Sequence, residues 1–192
     1  MTAEPELFED VLATRRVYEG KVVNLRVDDV ELPDGAHSKR EVVEHADSVA
    51  IVPVLDDGRI VLIRQFRLPA GGVLLEIPAG VVDPGESPAQ CAQRELAEEI
   101  GYEAAHLELL FSMYLAPGYC SELIHLFVAT GLTPAHRAPE ADEFIEPLVV
   151  TPQQARSLID DGAIRDAKTI AGILAYLNQT RGPSVAQGHR EN

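Results

Sequence analysis

The first half of the chain consists of apolar runs rich in β-branched residues, separated by short polar breaks, which is typical of β-strands. Strands are predicted over residues 21–32, 40–45, 48–55 and 59–66. Pro33-Asp34-Gly35 predicts a turn, and Asp56-Asp57-Gly58 predicts a tight hairpin between the last two of these strands. The segments VLLEI, LELLFSMY, LIHLFVAT and FIEPLVV predict four strands more.

Three helices are predicted from start signals and apolar periodicity. Ser-Pro-Ala-Gln at 87–90 forms a capping-box start, and Gly101 marks the end of that helix at about residue 100. Thr-Pro-Gln-Gln at 151–154 repeats the signal and begins a helix that ends near residue 161. An apolar stripe predicts the third helix over about 166–178. Many strands with few helices indicate an α/β fold, or α+β in some schemes.

Composition and charge limit the possible partners. The chain has 192 residues, 46% of them hydrophobic, which fits one domain or one domain with a small appendage. Sixteen basic and 31 acidic residues give a net charge of −15, so we expect neither nucleic-acid binding nor docking on anionic membranes. A small anionic ligand stays possible, because a metal ion inverts the local field.

The sequence shows no segment that predicts secretion or membrane insertion. No apolar run reaches the ~18 residues that a spanning helix needs, and the acidic start lacks the apolar core of a signal peptide. Cys91 and Cys120 have no metal-type spacing. We therefore expect a cytoplasmic protein with two reduced thiols.

The helix that follows residue 87 carries charges that its own stability does not explain. Glu95, Glu98 and Glu99 lie three and four residues apart, so like charges are neighbours on the helix surface. Glu98 and Glu99 also lie in the last turn, where the helix dipole disfavours anions. One interpretation is a solvated acidic face. The other is a site for a hard cation, since carboxylates suit Mg²⁺ or Mn²⁺.

The loop before this helix favours the cation site. Residues 80–102 read GVVDPGESPAQCAQRELAEEIGY, which resembles the Nudix box: glycine, five residues, glutamate, seven residues, then R-E-x-x-E-E-x-G. The positions that match in register are Gly80, Glu86, Arg94, Glu95, Glu98, Glu99 and Gly101. Tyr102 departs from the usual closing aliphatic residue, which concerns local packing and not the chemistry.

The resemblance implies a Nudix α/β/α sandwich with a mixed β-sheet, preceded here by a small β-rich arm. Enzymes of this family hydrolyse a nucleoside diphosphate linked to another moiety and use Mg²⁺, with Mn²⁺ as a substitute. Carried over to this chain, Glu95 and Glu99 are the principal metal ligands, and Glu98 and the carbonyl of Ala79 are further ligands. Arg94 is also a residue of the catalytic site, and together with Glu86 it would hold the loop against the helix.

Segments outside the box resemble the ADP-ribose pyrophosphatase branch of the family. They are REVVEH at 40–45, RQFR at 64–67 and EIPAG at 76–80. A proline sixteen residues after Gly101 is a substrate marker of that branch and falls on Pro117. The resemblance covers most of residues 16–178.

The resemblance also suggests substrate contacts. Arg64 and Arg67 would both reach the ligand if the strand ended between them; otherwise they are ordinary surface arginines. Pro117 and Gly118 would shape a loop over the substrate or form a plain turn. Glu122 would bond ribose hydroxyls.

The catalytic base of this branch is a glutamate in a loop after the box. Counting back from the helix start at Pro152, Glu143 fits best, and Glu140 and Asp142 are neighbours. An exposed acidic loop is the alternative, since metals alone can activate water.

Three segments are expected along the chain. The arm, residues 1–47, is too small for its own core and in this branch pairs with a second subunit, so we expect a homodimer. The Nudix hydrolase domain follows at 48–179, and residues 180–192 form a flexible polar tail.

The function expected from the resemblance is hydrolysis of ADP-ribose to AMP and ribose 5-phosphate. GDP-mannose or another nucleotide sugar, NADH and dinucleoside polyphosphates are alternative substrates. A nucleotide sensor without turnover is the alternative from another class of protein. It is less favoured because the box is intact and only a short polar tail follows the third helix.

Overall fold

The structure, a computed structural model, describes residues 7–135 and 144–180. Ten strands lie in this part of the chain: β1 (Asp10–Glu19), β2 (Asn24–Glu31), β3 (His37–Glu44), β4 (Ser48–Pro53), β5 (Ile60–Arg67), β6 (Gly72–Glu76), β7 (Ala79–Val81), β8 (Tyr102–Tyr114), β9 (Leu123–Pro134) and β10 (Ile145–Val150). The same part holds three α-helices: α1 (Pro88–Glu95), α2 (Pro152–Asp160) and α3 (Ala167–Thr180). A π-helical turn, Leu96–Ile100, continues α1, and a short 3₁₀ turn lies at Leu68–Ala70.

The predicted start and stop signals of the helices are confirmed. Ser87 accepts a hydrogen bond from the backbone N–H of Gln90, and the Gln90 side chain accepts one from the N–H of Ser87, so the capping box is complete. Thr151 begins α2 in the same way. Gly101 has φ 71°, the left-handed conformation that favours glycine at a helix end.

The chain divides into two compact units. The first contains the described residues up to Asp47 together with Tyr114–Ile124, and the second contains the other described residues. The predicted division into an arm, a domain and a tail stays a prediction, and the tail from residue 181 lies outside the described residues.

The first unit is built on an antiparallel sheet of three strands in the order β1-β2-β3. Sequence analysis did not predict β1, because all ten of its residues are exposed and leave no buried alternation to detect. The segment 114–124 is joined to the end of β3 by hydrogen bonds from the N–H of Val43 to Tyr119 and from the N–H of Ser121 to Val43.

The second unit contains a four-stranded sheet, β7-β4-β9-β8, and a three-stranded sheet, β10-β5-β6. All six residues of β4 are buried, which explains its continuous apolar sequence. Val49 and Ile51 of β4 pack in a core with Ala92 and Leu96 of the α1 region.

The other face of β4 lies against α3. A Cβ added at Gly172 would come within 3.1 Å of the Val52 and Ile77 side chains, so the α3 backbone approaches this face closely. Helices therefore cover both faces of the sheet that contains β4. The α/β fold class with a β-rich N-terminal region is confirmed.

The predicted hairpin at residues 56–58 forms as a turn but not as a two-stranded ladder. Leu55 and Arg59 are hydrogen bonded across the turn, and Gly58 has φ 81°. Beyond a single bridge between Val54 and Ile60, the two strands enter different sheets. Turn residues predict where the chain reverses, but the sheet that each strand joins depends on tertiary packing.

Candidate active site

The site is organised around Arg94, near the end of α1. Its Nε and Nη2 donate to the two carboxylate oxygens of Glu86 at 3.2 and 3.1 Å, and its Nη2 also donates to the carbonyl of Val81. Its Nη1 donates to Glu95 at 2.6 Å and to Glu98 at 3.0 Å. One guanidinium thus joins the loop to the helix and binds three carboxylates.

The carboxylates of the helix are not a solvated face. Glu95 and Glu99 are each only 7% exposed, and the side chain of Glu98 is 11% exposed. Burying carboxylates in this way is costly unless cations and hydrogen-bond donors surround them. The structure therefore contradicts the interpretation of these residues as a solvated surface.

The π turn allows almost the whole segment from Glu95 onward to be buried. Leu96, Ala97, Glu99 and Ile100 are buried, although they span more than one face of an ordinary α-helix. The turn closes with a hydrogen bond from the N–H of Gly101 to the carbonyl of Leu96, five residues earlier. Sequence analysis predicted a regular helix here. Such turns are rare and are frequent at functional sites.

Strand β7 forms the wall next to these carboxylates. The Glu95 carboxylate packs on Gly80, where an added Cβ would lie 1.9 Å from Oε1 of Glu95. The N–H of Ala79 donates to Oε2 of Glu99 at 3.1 Å. The backbone at residues 79 and 80 is thereby brought against both principal candidate ligands.

Electrostatics favour the charged forms of Glu86 and Arg94. Hydrogen bonds from the Arg94 guanidinium lower the pKa of Glu86 despite partial burial. Hydrogen bonding to Glu86 and the charge of Glu95 raise the pKa of Arg94 above its ordinary value. Burial raises the pKa of the Cys91 thiol to about 12, so this thiol is not a nucleophile near neutral pH.

The donor set fits a divalent cation in chemistry and in charge. Three carboxylates, each at most 16% exposed, share one guanidinium, which leaves an excess of negative charge, and oxygen ligands of this kind suit Mg²⁺ or Mn²⁺. Within residues 7–135 and 144–180, no three acidic, His or Cys side chains are arranged to hold an ion as they stand. Two of the candidate carboxylates accept hydrogen bonds from Arg94 instead, so an ion would compete with that guanidinium.

Arg67 and Arg64 are not brought together. Strand β5 continues to Arg67, so residues 64 and 67 point to opposite faces of the sheet. Arg64 is half exposed and pairs with Glu146 on the neighbouring strand at 2.8 Å. The strand does not end between them, so the condition under which both arginines would reach one ligand is not met.

Arg67 belongs to a second charged group next to the carboxylates. Its Nε and Nη2 donate to both oxygens of Glu76 at 3.0 and 2.9 Å, and Lys168 donates to the same carboxylate at 2.7 Å. Burial would raise the pKa of Glu76, but the hydrogen bonds from Arg67 and the charge of Lys168 outweigh it, and the pKa is lowered. The charge of Glu99 also acts on Arg67.

Glu76 and Lys168 are charged residues of this site without a role predicted from the sequence. Glu76 stands in the EIPAG segment, so a buried acidic residue in an otherwise apolar strand was a usable signal. Lys168 gave none, because it lies in the first turn of α3 among ordinary helix-forming residues and 92 positions from its partner.

Three predicted substrate residues belong to the first unit. Pro117 and Gly118 lie in an exposed turn that is closed by hydrogen bonds to the carbonyl of Ala116. The carboxylate of Glu122 lies 3.7 Å from Nδ1 of His45. Glu143, the predicted base, lies outside the described residues.

A groove of about 800 Å³ runs beside α1. Glu86 and Arg94 line one part of it, and Gln93 and Leu107 line another. None of the three helix glutamates is among its lining residues. We therefore do not place the reaction in this groove.

Two family models match the chain. The NUDIX domain matches residues 44–173, and the nucleoside diphosphate sugar hydrolase N-terminal domain matches residues 9–43. The described site, with its loop, its helix and the β7 wall, lies entirely within the first of these two matches.

Relatives of the chain include enzymes that act on nucleotide derivatives. An ADP-ribose pyrophosphatase of Bacillus subtilis is 41% identical over 169 residues, which are 87% of this chain and 91% of the relative. A methanol dehydrogenase activator of Bacillus methanolicus is 41% identical over 88% of this chain and 92% of its own length. A GDP-mannose pyrophosphatase of Citrobacter koseri is 37% identical over 77% of this chain and 81% of its own length.

A solved structure has the same fold. It is a crystal structure described as that of an ADP compounds hydrolase, with a TM-score of 0.82 and 25% sequence identity. The match covers 91% of this chain and 95% of the other.

Proposed function

The chain belongs to the Nudix family and is a pyrophosphohydrolase of that family, and from this premise we propose that it hydrolyses ADP-ribose to AMP and ribose 5-phosphate. The observation that supports the reaction type best is the near-complete burial of Glu95, Glu98 and Glu99, the first two of which share the Arg94 guanidinium. Chemistry on a diphosphate requires positive charge near the phosphorus, and these carboxylates are the means of recruiting it.

Members of the family need a divalent metal, and we propose Mg²⁺ here, with Mn²⁺ as a substitute. Glu95 and Glu99 would hold it, with Glu98 and the carbonyl of Ala79 as further ligands. Such an ion, when bound, neutralises diphosphate charge, polarises phosphorus and lowers the pKa of a water molecule. Two glutamates and a backbone carbonyl from different elements provide the oxygen-rich set that this ion prefers.

The other charged residues of the site orient these ligands. Arg94 keeps the loop against the helix through its two hydrogen bonds to Glu86, and it limits the repulsion between Glu95 and Glu98. Arg67, held on both oxygens of Glu76, offers the remaining guanidinium donors to an anionic group of the substrate.

The substrate is proposed from the relatives and from the segments RQFR and EIPAG. Two relatives named as ADP-ribose pyrophosphatases, from Bacillus subtilis and Mycobacterium tuberculosis, favour ADP-ribose. The GDP-mannose pyrophosphatase of Citrobacter koseri makes GDP-mannose the second candidate. Both compounds are nucleoside diphosphates linked to a sugar, so the same chemistry serves either.

Glu143 is our candidate for the catalytic base, and Pro117, Gly118 and Glu122 are candidates for substrate contacts. Pro117, Gly118 and Glu122 rest on their positions after the Nudix box, and Glu143 rests on its distance before the helix start at Pro152. Substituting Glu143 by glutamine should lower kcat more than it raises KM if this carboxylate activates water.

We also propose that the protein is a homodimer joined through its N-terminal strands. Strand β1 is exposed along its whole length and carries Val11, Leu12, Val17 and Tyr18, each at least 45% exposed. An edge strand with this much apolar surface favours a partner, and a second copy of the chain is the partner that the arm of this branch uses.

We propose a cytoplasmic location. Cys91 and Cys120 are both free thiols, which suits a reducing compartment. No helix within the described ranges is both long enough and apolar enough to cross a membrane.

The experiment that tests the function is a substrate panel with Mg²⁺, followed by chromatography of the products. ADP-ribose is compared with GDP-mannose, NADH and diadenosine polyphosphates. We expect AMP from ADP-ribose at the highest kcat/KM. Cleavage of another compound alone would retain the diphosphate chemistry and overturn the substrate, and binding of ADP-ribose without any turnover would indicate a sensor.

A further inference from the structure

Gln65 is a buried polar side chain in the second unit, on the same strand as Arg67. It lies on β5, the central strand of its sheet, and is 9% exposed. Its backbone is paired on both sides, opposite Leu74 of β6 and Ile145 of β10. Within the part of the chain that the structure describes, its Oε1 has no hydrogen-bond partner. A buried acceptor of this kind is destabilising, so its retention suggests a ligand.

The side chain of Gln65 faces the interior of the second unit and not solvent. Side chains alternate along a strand, so Gln65 shares a face with Ile63 and Arg67. Directly opposite residues of an antiparallel pair share a face as well, which adds Ile145. Arg64 and Phe66, on the opposite face, are exposed.

This face meets the helix that carries the glutamates. Ile63 and Ile145 pack in the same apolar core as Leu96 and Ile100 of the π turn. Arg67, two residues beyond Gln65, interacts electrostatically with Glu99. Gln65 therefore lies where the apolar core ends and the charged part of the site begins.

The two polar side chains of this face are complementary in chemistry. The Arg67 guanidinium is only a donor and favours an anionic oxygen, whereas Oε1 of Gln65 is only an acceptor and requires an N–H or O–H. Phosphate oxygens cannot supply that donor, but the hydroxyl groups of a sugar can. A diphosphate linked to a sugar carries both kinds of group in one molecule, separated by a few bonds.

We propose that Gln65 is a substrate-contacting residue that accepts a hydrogen bond from a sugar hydroxyl of the nucleoside diphosphate sugar. The inference rests on the proposed function and adds a determinant of sugar specificity to it. A site with an acceptor for a hydroxyl discriminates against compounds that lack this group, because the acceptor is then left buried and unpaired.

The test uses Gln65→Met, which keeps the length of the side chain and removes the acceptor. Gln153→Met, on the exposed face of α2, is the matched control. With the wild type cleaving ADP-ribose or GDP-mannose, Gln65→Met should lower kcat/KM for that substrate about ten- to a hundredfold, and the control should not. In the absence of ligand, the Tm of Gln65→Met should equal or exceed that of the wild type, because an unpaired buried acceptor has been removed.

Deoxy analogues of ADP-ribose, each lacking one hydroxyl of the distal ribose, identify the contact. One analogue should reduce kcat/KM of the wild type while leaving that of Gln65→Met unchanged, since the two changes delete the same hydrogen bond. Should Gln65→Met fold poorly, Gln65→Asn, which withdraws the amide by one methylene, is measured in the same way.

Two results would overturn the inference in different ways. In the first, the Gln65 variants keep the kcat/KM of the wild type, or they lose kcat/KM further and equally with every deoxy analogue. Either outcome would show that Gln65 contacts no sugar hydroxyl, while the proposed function stands. A wild-type protein that cleaves neither ADP-ribose nor GDP-mannose would remove the proposed function, and the inference with it.

Discussion

Substitution of Arg94 by methionine should destabilise the protein far more than the loss of one surface arginine. The guanidinium is 16% exposed and donates to three carboxylates that are themselves between 9% and 16% exposed. Methionine keeps much of the apolar length and leaves Glu86, Glu95 and Glu98 without their shared cation. Removing one partner from a buried ion pair typically costs about 3–5 kcal/mol in free energy of unfolding.

For a chain of this size, such a loss corresponds to a decrease in Tm of roughly 6–20 °C, at about 2–4 °C per kcal/mol. The assay is thermal unfolding in the presence of EDTA, so that no divalent ion compensates for the lost guanidinium. Urea unfolding at one temperature gives the free energy independently.

Arg156→Met is the matched control. Arg156 pairs with Asp160 four residues along α2, at 2.9 Å, and both side chains are about half exposed. Exposed pairs of this kind contribute at most about 1 kcal/mol. Equal changes in Tm for Arg94→Met and Arg156→Met would refute the conclusion that Arg94 holds the carboxylate cluster together.

Three further predictions follow from the described contacts. Gly80→Ala should lower activity at least about tenfold and destabilise the fold by about 1–3 kcal/mol, because the new Cβ overlaps the Glu95 carboxylate. Gly72→Ala is the control and should behave as wild type, because a Cβ added at Gly72 meets no atom within 4 Å. Because the pKa of Glu76 is lowered in the fold, its ionised carboxylate stabilises the protein at pH values above the unfolded pKa of about 4.3. This stabilisation is lost as the pH falls through the lower pKa of the folded state. In urea unfolding, Glu76→Gln should therefore be less stable than wild type at pH 7, and the difference should shrink below about pH 4. Light scattering at micromolar concentration should give a dimer for the wild type and a monomer for Val11→Asp, and a monomeric wild type would exclude our assembly.

Local signals in the sequence predicted the helices and most strands well. The capping boxes at Ser87 and Thr151 depend only on neighbouring residues, and so does the left-handed glycine at 101. Strand β1 was missed because nothing in the described protomer buries one of its faces, and β7 was missed because three residues show no periodicity.

The candidate site was predicted in composition and less well in geometry. The spacing of the Nudix box identified the glutamates and Arg94, but not the π turn, which depends on the packing of Leu96 and Ile100 in the core. The opposite faces of Arg64 and Arg67 follow from where β5 ends, which the sequence pattern left open. Lys168 reaches Glu76 only through tertiary structure, so no local pattern predicts that contact.

The central claim is that the buried glutamates of this helix support metal-dependent hydrolysis of a diphosphate. It is tested most directly by AMP release from ADP-ribose with Mg²⁺ for the wild type, Glu99→Gln and the charge-matched control Glu108→Gln, whose residue is exposed on β8. The account predicts at least about a hundredfold loss for Glu99→Gln alone, together with loss of the increase in Tm that Mg²⁺ causes in the wild type. Undiminished AMP release by Glu99→Gln, or an equal loss in both variants, would contradict it.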